Sequence, residues 1–230
     1  MHPSNIHNTV LDFRVLAQSY PALLPYVVDK PGQDSSYDFT SSDAARELTK
    51  ALLHQGYGID WWIPAGQLIP PVPNRANYIH WIQDLLQLSS PAGQEGVKGM
   101  DIGCDFTKGI ITTAMHPNEA LTFTMCNPPF FDTLDEAGLN PATAFGGTEA
   151  EMVCSGGEDA FVRQMVRDSL DLQVRVHWYT TMGRTAAPTA NTALQQALNI
   201  LHSQGTCSFR QPPAGIVGGC TGGSGLQLQR

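Results

Sequence analysis

The run Leu121-Thr122-Phe123-Thr124-Met125-Cys126 leads straight into Asn127-Pro128-Pro129-Phe130, and this junction constrains the fold more than any other stretch. A short apolar run rich in aromatic and β-branched residues, closed by a turn signal, reads as a strand. Each proline fixes φ near about −65° and withholds an N–H, so the strand must stop at Cys126 and a stiff loop must follow. A stiff loop at the carboxyl end of a strand is where open α/β sheets place their ligands.

The residues of that loop suit one chemistry. An aromatic amine such as adenine N(6) is a poor nucleophile, because its lone pair is delocalised into the ring. An enzyme that methylates it must hold the amino group and steer the lone pair toward the electrophile. The Asn127 side-chain carbonyl and the Pro128 backbone carbonyl can accept the two N–H bonds. Pro129 stiffens the loop, and Phe130 can stack on the base. Asn-Pro-Pro is also ordinary turn chemistry, so the loop taken alone leaves a plain proline turn open.

Other elements frame it. Val97 to Ile102 is a second short apolar run, ending in Asp101-Ile102-Gly103. A strand ending in an acidic residue and a glycine lets the backbone approach a nucleotide-type cofactor, although an ordinary strand end reads the same way. Val174 to Thr181 is a third strand candidate. Glu158 to Leu172 patterns as a helix with Phe161, Met165 and Val166 on one face. Phe145-Gly146-Gly147-Thr148 and Ser155-Gly156-Gly157-Glu158 suggest a flap over a substrate, or, for the second, the cap of that helix.

Toward the amino end, Asp12 to Tyr20 patterns as a short amphipathic helix stopped by Pro21. Ser41 is an N-cap candidate for a helix that carries Ala44, Leu48, Ala51 and Leu52 inward and ends at Gly56 and Gly58. Pro64 to Pro73 reads as a connector. Asn77 to Leu88 reads as a helix with Ile79, Ile82, Leu85 and Leu86 inward. Ala193 to Leu201 is a further helix candidate. After Arg210 the composition turns to Gly and Pro and predicts a disordered tail.

Bulk properties exclude several classes. The chain has 230 residues and 42% hydrophobic content, which suits one domain with a small appendage. No apolar run is long enough to span a membrane, and Met1-His2-Pro3-Ser4-Asn5 does not open a signal peptide. The expectation is a protein of the cytosol or nucleus, with no membrane partner. The five cysteines (104, 126, 154, 207, 220) contain no Cys-x-x-Cys pair and the seven histidines no His-x-x-x-His pair, so no metal is expected. The net charge is −8, against the basic face of a strong nonspecific nucleic-acid binder. Residues 1–90 carry five Lys/Arg (14, 30, 46, 50, 75) against eight Asp/Glu.

Taken in order, these segments resemble the methyltransferase-like protein sixteen family and its bacterial relatives, the large-subunit ribosomal RNA adenine-N(6) methyltransferases. The resemblance is carried by Met1-His2-Pro3-Ser4-Asn5, Asp12-Phe13 through Tyr20-Pro21, Leu68 through Trp81, Asp101-Ile102-Gly103, Met125 through Phe131, Gly156-Gly157-Glu158 and Trp178-Tyr179. It covers about residues 1–103 and 121–185.

The resemblance implies a Rossmann-like class I methyltransferase fold of the α/β class with a small N-terminal helical module. It implies S-adenosyl-L-methionine as cofactor and a target adenine in structured RNA, ribosomal or spliceosomal, as substrate. Asn127, Pro128, Pro129 and Phe130 resemble the catalytic loop. Arg75, Asp101, Gly103 and Asn127 correspond to cofactor-side positions. The expected division is 1–90 for the helical module, 91–185 for the methyltransferase domain and 186–230 for a divergent, partly disordered tail. The wording Ile79-His80-Trp81 resembles the eukaryotic branch, which implies a nuclear protein.

One departure stands out. Only 23 residues separate Gly103 from Asn127, where a full core carries about three helices and two further strands. A single βαβ unit already takes about thirty residues. The expected sheet is therefore incomplete, without the acidic residue that holds the cofactor ribose. The alternative to an active enzyme is an RNA-binding or scaffolding remnant, and a skipped exon or faulty gene prediction would account for the shortening.

Overall fold

The structure, a computed structural model, describes residues 1–29, 35–89, 96–102, 111, 115–137, 146–184 and 223–229. The chain forms two compact units, Met1–Leu85 with Gly138–Thr148, and Leu86–Ala137 with Glu149–Arg230. Of the described residues beyond Leu85, Gly146–Thr148 group with the first unit.

In the first unit, α1 (Phe13–Ser19) begins at Asp12, whose carboxylate accepts the Arg14 and Val15 N–H groups. Those donors have no partner inside a helix, so the cap fixes where it starts. Helix α2 (Ser42–Tyr57) is capped by the Ser41 hydroxyl and stopped by Gly58 at φ 64°, a left-handed conformation that glycine adopts freely. Helix α3 (Val72–Ser89) begins earlier than the sequence pattern predicts. Pro73 falls in its first turn, where a missing N–H costs nothing. Ile82, Leu85 and Leu86 are buried as expected, but Ile79 is 47% exposed and Tyr78 is buried instead. A face drawn through 82, 85 and 86 passes through 78, not 79. Two short antiparallel strands, β1 (Val27–Val28) and β2 (Ser36–Tyr37), complete the unit.

The N-terminus is held to α3. The His2 ring lies 2.8 Å from the Asp84 carboxylate and stacks on His80, and the His2 N–H donates to Asn77. Buried Asn5 donates to the Pro73 carbonyl at 3.0 Å. The motif Met-His-Pro-x-Asn is thus a clamp on the helix that carries Arg75. The core beside it is built from Leu16, Leu23, Tyr37, Ala44, Leu52 and Val72.

The second unit is a four-stranded sheet in the order β3 (Gly99–Ile102), β4 (Leu121–Cys126), β5 (Val176–Arg184), β6 (Gly223–Gln229). The first three strands are parallel and β6 runs antiparallel to β5. Helix α6 (Gly157–Leu172) follows the short helices α4 (Leu134–Ala137) and α5 (Glu149–Met152) and packs on β5. It buries Phe161, Met165 and Leu172 in a core with Ile102, Leu121, Cys126, Val176 and Tyr179. Thr180 fastens β5 to β4 by donating to the Thr124 carbonyl at 2.7 Å.

Strand β6 takes up Gly223–Gln229, at the end of the tail expected to be partly disordered, and the rest of that tail lies outside the described residues. The signal was present in Leu226-Gln227-Leu228-Gln229, a period-two alternation masked by the glycines around it. The Ala193–Leu201 helix expectation lies outside the described residues, as does Gly103.

The register of β3 on β4 pairs Gly99 with Phe123 and Ile102 with Cys126. Any Cβ at Gly99 would overlap the Phe123 ring. We predict that Gly99→Val lowers stability by about 1–3 kcal/mol, the usual result of overpacking. Thermal unfolding followed by circular dichroism should show a drop of several degrees, and an unchanged midpoint would contradict this register.

Candidate functional site

Parallel strands β3 and β4 end side by side, since Asp101 faces Met125 and Ile102 faces Cys126. The loop Asn127-Pro128-Pro129-Phe130 leaves the end of β4 at once. The structure therefore brings Asp101 and the Asn-Pro-Pro-Phe loop to the same edge of the sheet. Asp101 is exposed, Asn127 and Phe130 are half-buried, and Pro128 and Pro129 are fully buried. Burial of both rings holds the loop, while the two flanking residues keep part of their surface exposed.

The loop is also gripped at its far end. Phe131 forms a parallel bridge with Val153. Its N–H donates to the Met152 carbonyl at 3.2 Å, and its carbonyl accepts the Cys154 N–H at 3.0 Å. Of the two readings of Ser155-Gly156-Gly157-Glu158, the helix cap is the one found: Gly156 is the N-cap of α6 at φ 80°, and Gly157 follows at φ 62°. The other glycine pair is docked rather than free. Gly147 donates to the Gly66 carbonyl at 3.1 Å, and a side chain at Gly146 would strike the Gln67 carbonyl oxygen. Both contacts lie within the first unit.

Arg75 stands on α3 in the first unit. Its Nη1 is buried and makes no hydrogen bond among the described residues. A buried guanidinium donor without an acceptor costs free energy until an anionic group meets it. Gly103 lies outside the described residues. Cys154, next to the loop, has its thiol pushed up by burial and by the Asp132 carboxylate, which disfavours the nucleophilic thiolate. Among the described residues, no three His, Cys, Asp or Glu side chains form a group able to hold a metal. No described helix is long and apolar enough to cross a membrane.

Sequence reasoning missed the bridge between Phe131 and Val153. No local pattern announces a parallel contact across twenty-odd residues. It also missed the pairing of cations in the first unit. Arg14 is bound to Asp29 at 2.7 Å, Arg46 to Asp43 at 3.0 Å and Lys50 to Glu47 at 2.6 Å.

Comparison with known proteins places this geometry. A family model described as RNA methyltransferase matches residues 1–108 and 105–209. The match breaks at 105–108, inside the short connection between β3 and β4. Ribosomal RNA large subunit methyltransferase F of Photobacterium profundum is 32% identical over 268 residues, 79% of this chain and 79% of its own length. The enzyme of the same name from Pseudomonas fluorescens (strain SBW25) is 32% identical over 277 residues, 89% of this chain and 81% of its own. Both alignments are longer than the 230 residues of this chain, so the relatives carry stretches with no counterpart here.

Among solved structures, the hMettl16 catalytic domain in complex with MAT2A 3'UTR hairpin 1 superposes with a TM-score of 0.77 at 26% identity, over 100% of this chain and 95% of that one. The human METTL16 N-terminal domain in complex with SAH gives 0.72 at 24% identity over 100% and 98%, a likeness of fold. These findings correct the expectation of a nuclear protein. The relatives at 32% identity belong to bacteria, which have no nucleus. A sheet of this order, with the Asn-Pro-Pro-Phe loop at the end of β4 and a family match over most of its length, makes the chain a member of the RNA methyltransferase family.

Proposed function

We propose that the chain acts on adenine N(6) of a structured RNA, with S-adenosyl-L-methionine as methyl donor and a weakened hold on that donor. The observation that carries this reading is the Asn127–Phe130 loop, stiffened by two buried prolines at the end of β4 and beside the end of β3. Asn127 and the Pro128 carbonyl accept the amino N–H bonds of the base, and Phe130 stacks on its ring. Holding the amine in that orientation supplies proximity and alignment, which are worth several kcal/mol in a transfer reaction. When bound, the donor supplies a methyl group on a positively charged sulfur. The similarity to ribosomal RNA methyltransferases and to a catalytic domain solved with an RNA hairpin supports RNA as the substrate.

The fit to the donor is partial. Within the second unit, Asp101 stands near the end of β3, beside the start of the Asn127–Phe130 loop. In a doubly wound sheet of order 3-2-1-4-5-6, the neighbours found here as β3 and β4 correspond to strands 1 and 4. Strands 2 and 3, on the far side of strand 1, are not found among the described residues. The same observation favours a second reading, an RNA-binding remnant without turnover.

Two outcomes are expected. With radiolabelled donor at millimolar concentration and an adenine-containing hairpin, label should go to adenine N(6). It should fall about a hundredfold or more in Asn127→Ala, the usual cost of removing one preorganised hydrogen-bond partner. Label on another atom, or label undiminished in the variant, would sink the assignment. In gel-shift titrations the same hairpin should bind weakly, with a logarithmic salt slope of about −2 or shallower, because three of the first unit's cations are already paired. A slope of about −4 or steeper would mean that those pairs open onto phosphate.

A further inference from the structure

We propose that Asp132 is a positioning residue that ties the Asn127–Phe131 loop to the start of α6. This inference rests on the reading of that loop as the amine-holding site. Asp132 directly follows the loop, and its Oδ1 accepts the Gly156 N–H at 2.7 Å across 24 residues of sequence. Gly156 is the N-cap of α6 and has no capping side chain of its own. The Asp132 carboxylate thus provides an acceptor at the start of α6, where backbone donors point outward and the dipole favours negative charge.

The link is not isolated. On one side of it lies the bridge between Phe131 and Val153, with its hydrogen bonds from Phe131 to Met152 and from Cys154 to Phe131. On the other, the Asp132 N–H donates to the Glu136 carboxylate at 3.2 Å, at the first turn of α4. Gly157, at φ 62°, lies beside the Phe131 and Asp132 backbone, where an added Cβ would be in van der Waals contact, 3.6 Å from the Asp132 nitrogen. The loop is therefore held at both ends. Strand β4 fixes Asn127, and the Asp132 tether fixes the exit from Phe130 and Phe131. Without the tether, the far end of the loop is held only by the Phe131–Val153 bridge, which then opens more readily.

The test uses the full chain and reads amide hydrogen exchange, so it does not depend on turnover. Asp132→Ala should speed exchange of the Gly156, Phe131 and Cys154 amides about tenfold or more, while Met165 and Val166 inside α6 stay within about twofold, as expected for local opening. Asp132→Asn keeps a carbonyl acceptor at the same place and should restore the wild-type pattern to within about threefold. The alkylation of Cys154 in Asp132→Asn should also shift to lower pH, because a neighbouring negative charge has gone. Unchanged exchange at Phe131 and Cys154 in Asp132→Ala would overturn the proposal. So would a uniform rise that includes Met165, which would mark general unfolding. Absence of methyl transfer in the wild type would count against the catalytic reading alone and leave the tether decided by exchange.

Discussion

The parallel pairing of β3 with β4 sets the terms for the rest of the second unit. Parallel neighbours need a crossover of a dozen residues or more, and here residues 103–120 make the whole connection. That length suits one crossover and no more. It joins the two strands that lie side by side in a doubly wound sheet even when two others intervene in sequence. Among the described residues that intervening pair is not found, and the strands that are found leave no gap between them. Strands β3, β4 and β5 stay contiguous, and α6 still covers β5. The family match breaks at the same place, at residues 105–108.

The site inherits this asymmetry. Ligands of open α/β sheets bind in the crevice outside the carboxyl ends of the strands, where the order reverses. On the β4 side, the strand ends on buried Pro128 and Pro129, and Phe131 is bridged to Val153. The opposite wall would come from strands beyond β3, whose exposed Asp101 stands one residue before the strand's end. A charge-assisted bond to a ribose is worth about 1.5–3 kcal/mol, roughly ten- to a hundredfold in affinity. A missing wall costs more, because the apolar contact to the adenine ring goes with it.

Much of this was legible in the sequence wherever the signal was local. Strand β4 was readable to the residue because prolines end it. Helix α6 was readable from Phe161, Met165 and Val166, and the caps of α1 and α2 from Asp12 and Ser41. The shortened core was legible as a spacing between Gly103 and Asn127. What escaped depended on partners distant in the chain. Ile79 was placed inward because it is apolar, although Tyr78 occupies the buried face. Strand β6 escaped because its alternation follows a glycine run and its pairing partner, β5, is distant in the chain. The Asn-Pro-Pro-Phe loop was legible as chemistry, but its grip by Val153 and Gly156 joins residues more than twenty positions apart. The nuclear expectation rested on Ile79-His80-Trp81 alone, and it gave way to relatives that are bacterial.

The central claim is that the amine-holding wall survives while the donor-holding wall is largely gone. Isothermal titration of the full chain with S-adenosyl-L-methionine tests it most directly. The account predicts no saturable heat below about millimolar donor, since loss of the ribose bond and of one pocket wall removes several kcal/mol. Micromolar binding by this chain would contradict it, and would mean that the 18-residue connection rebuilds the missing wall by a route the order of the sheet does not suggest.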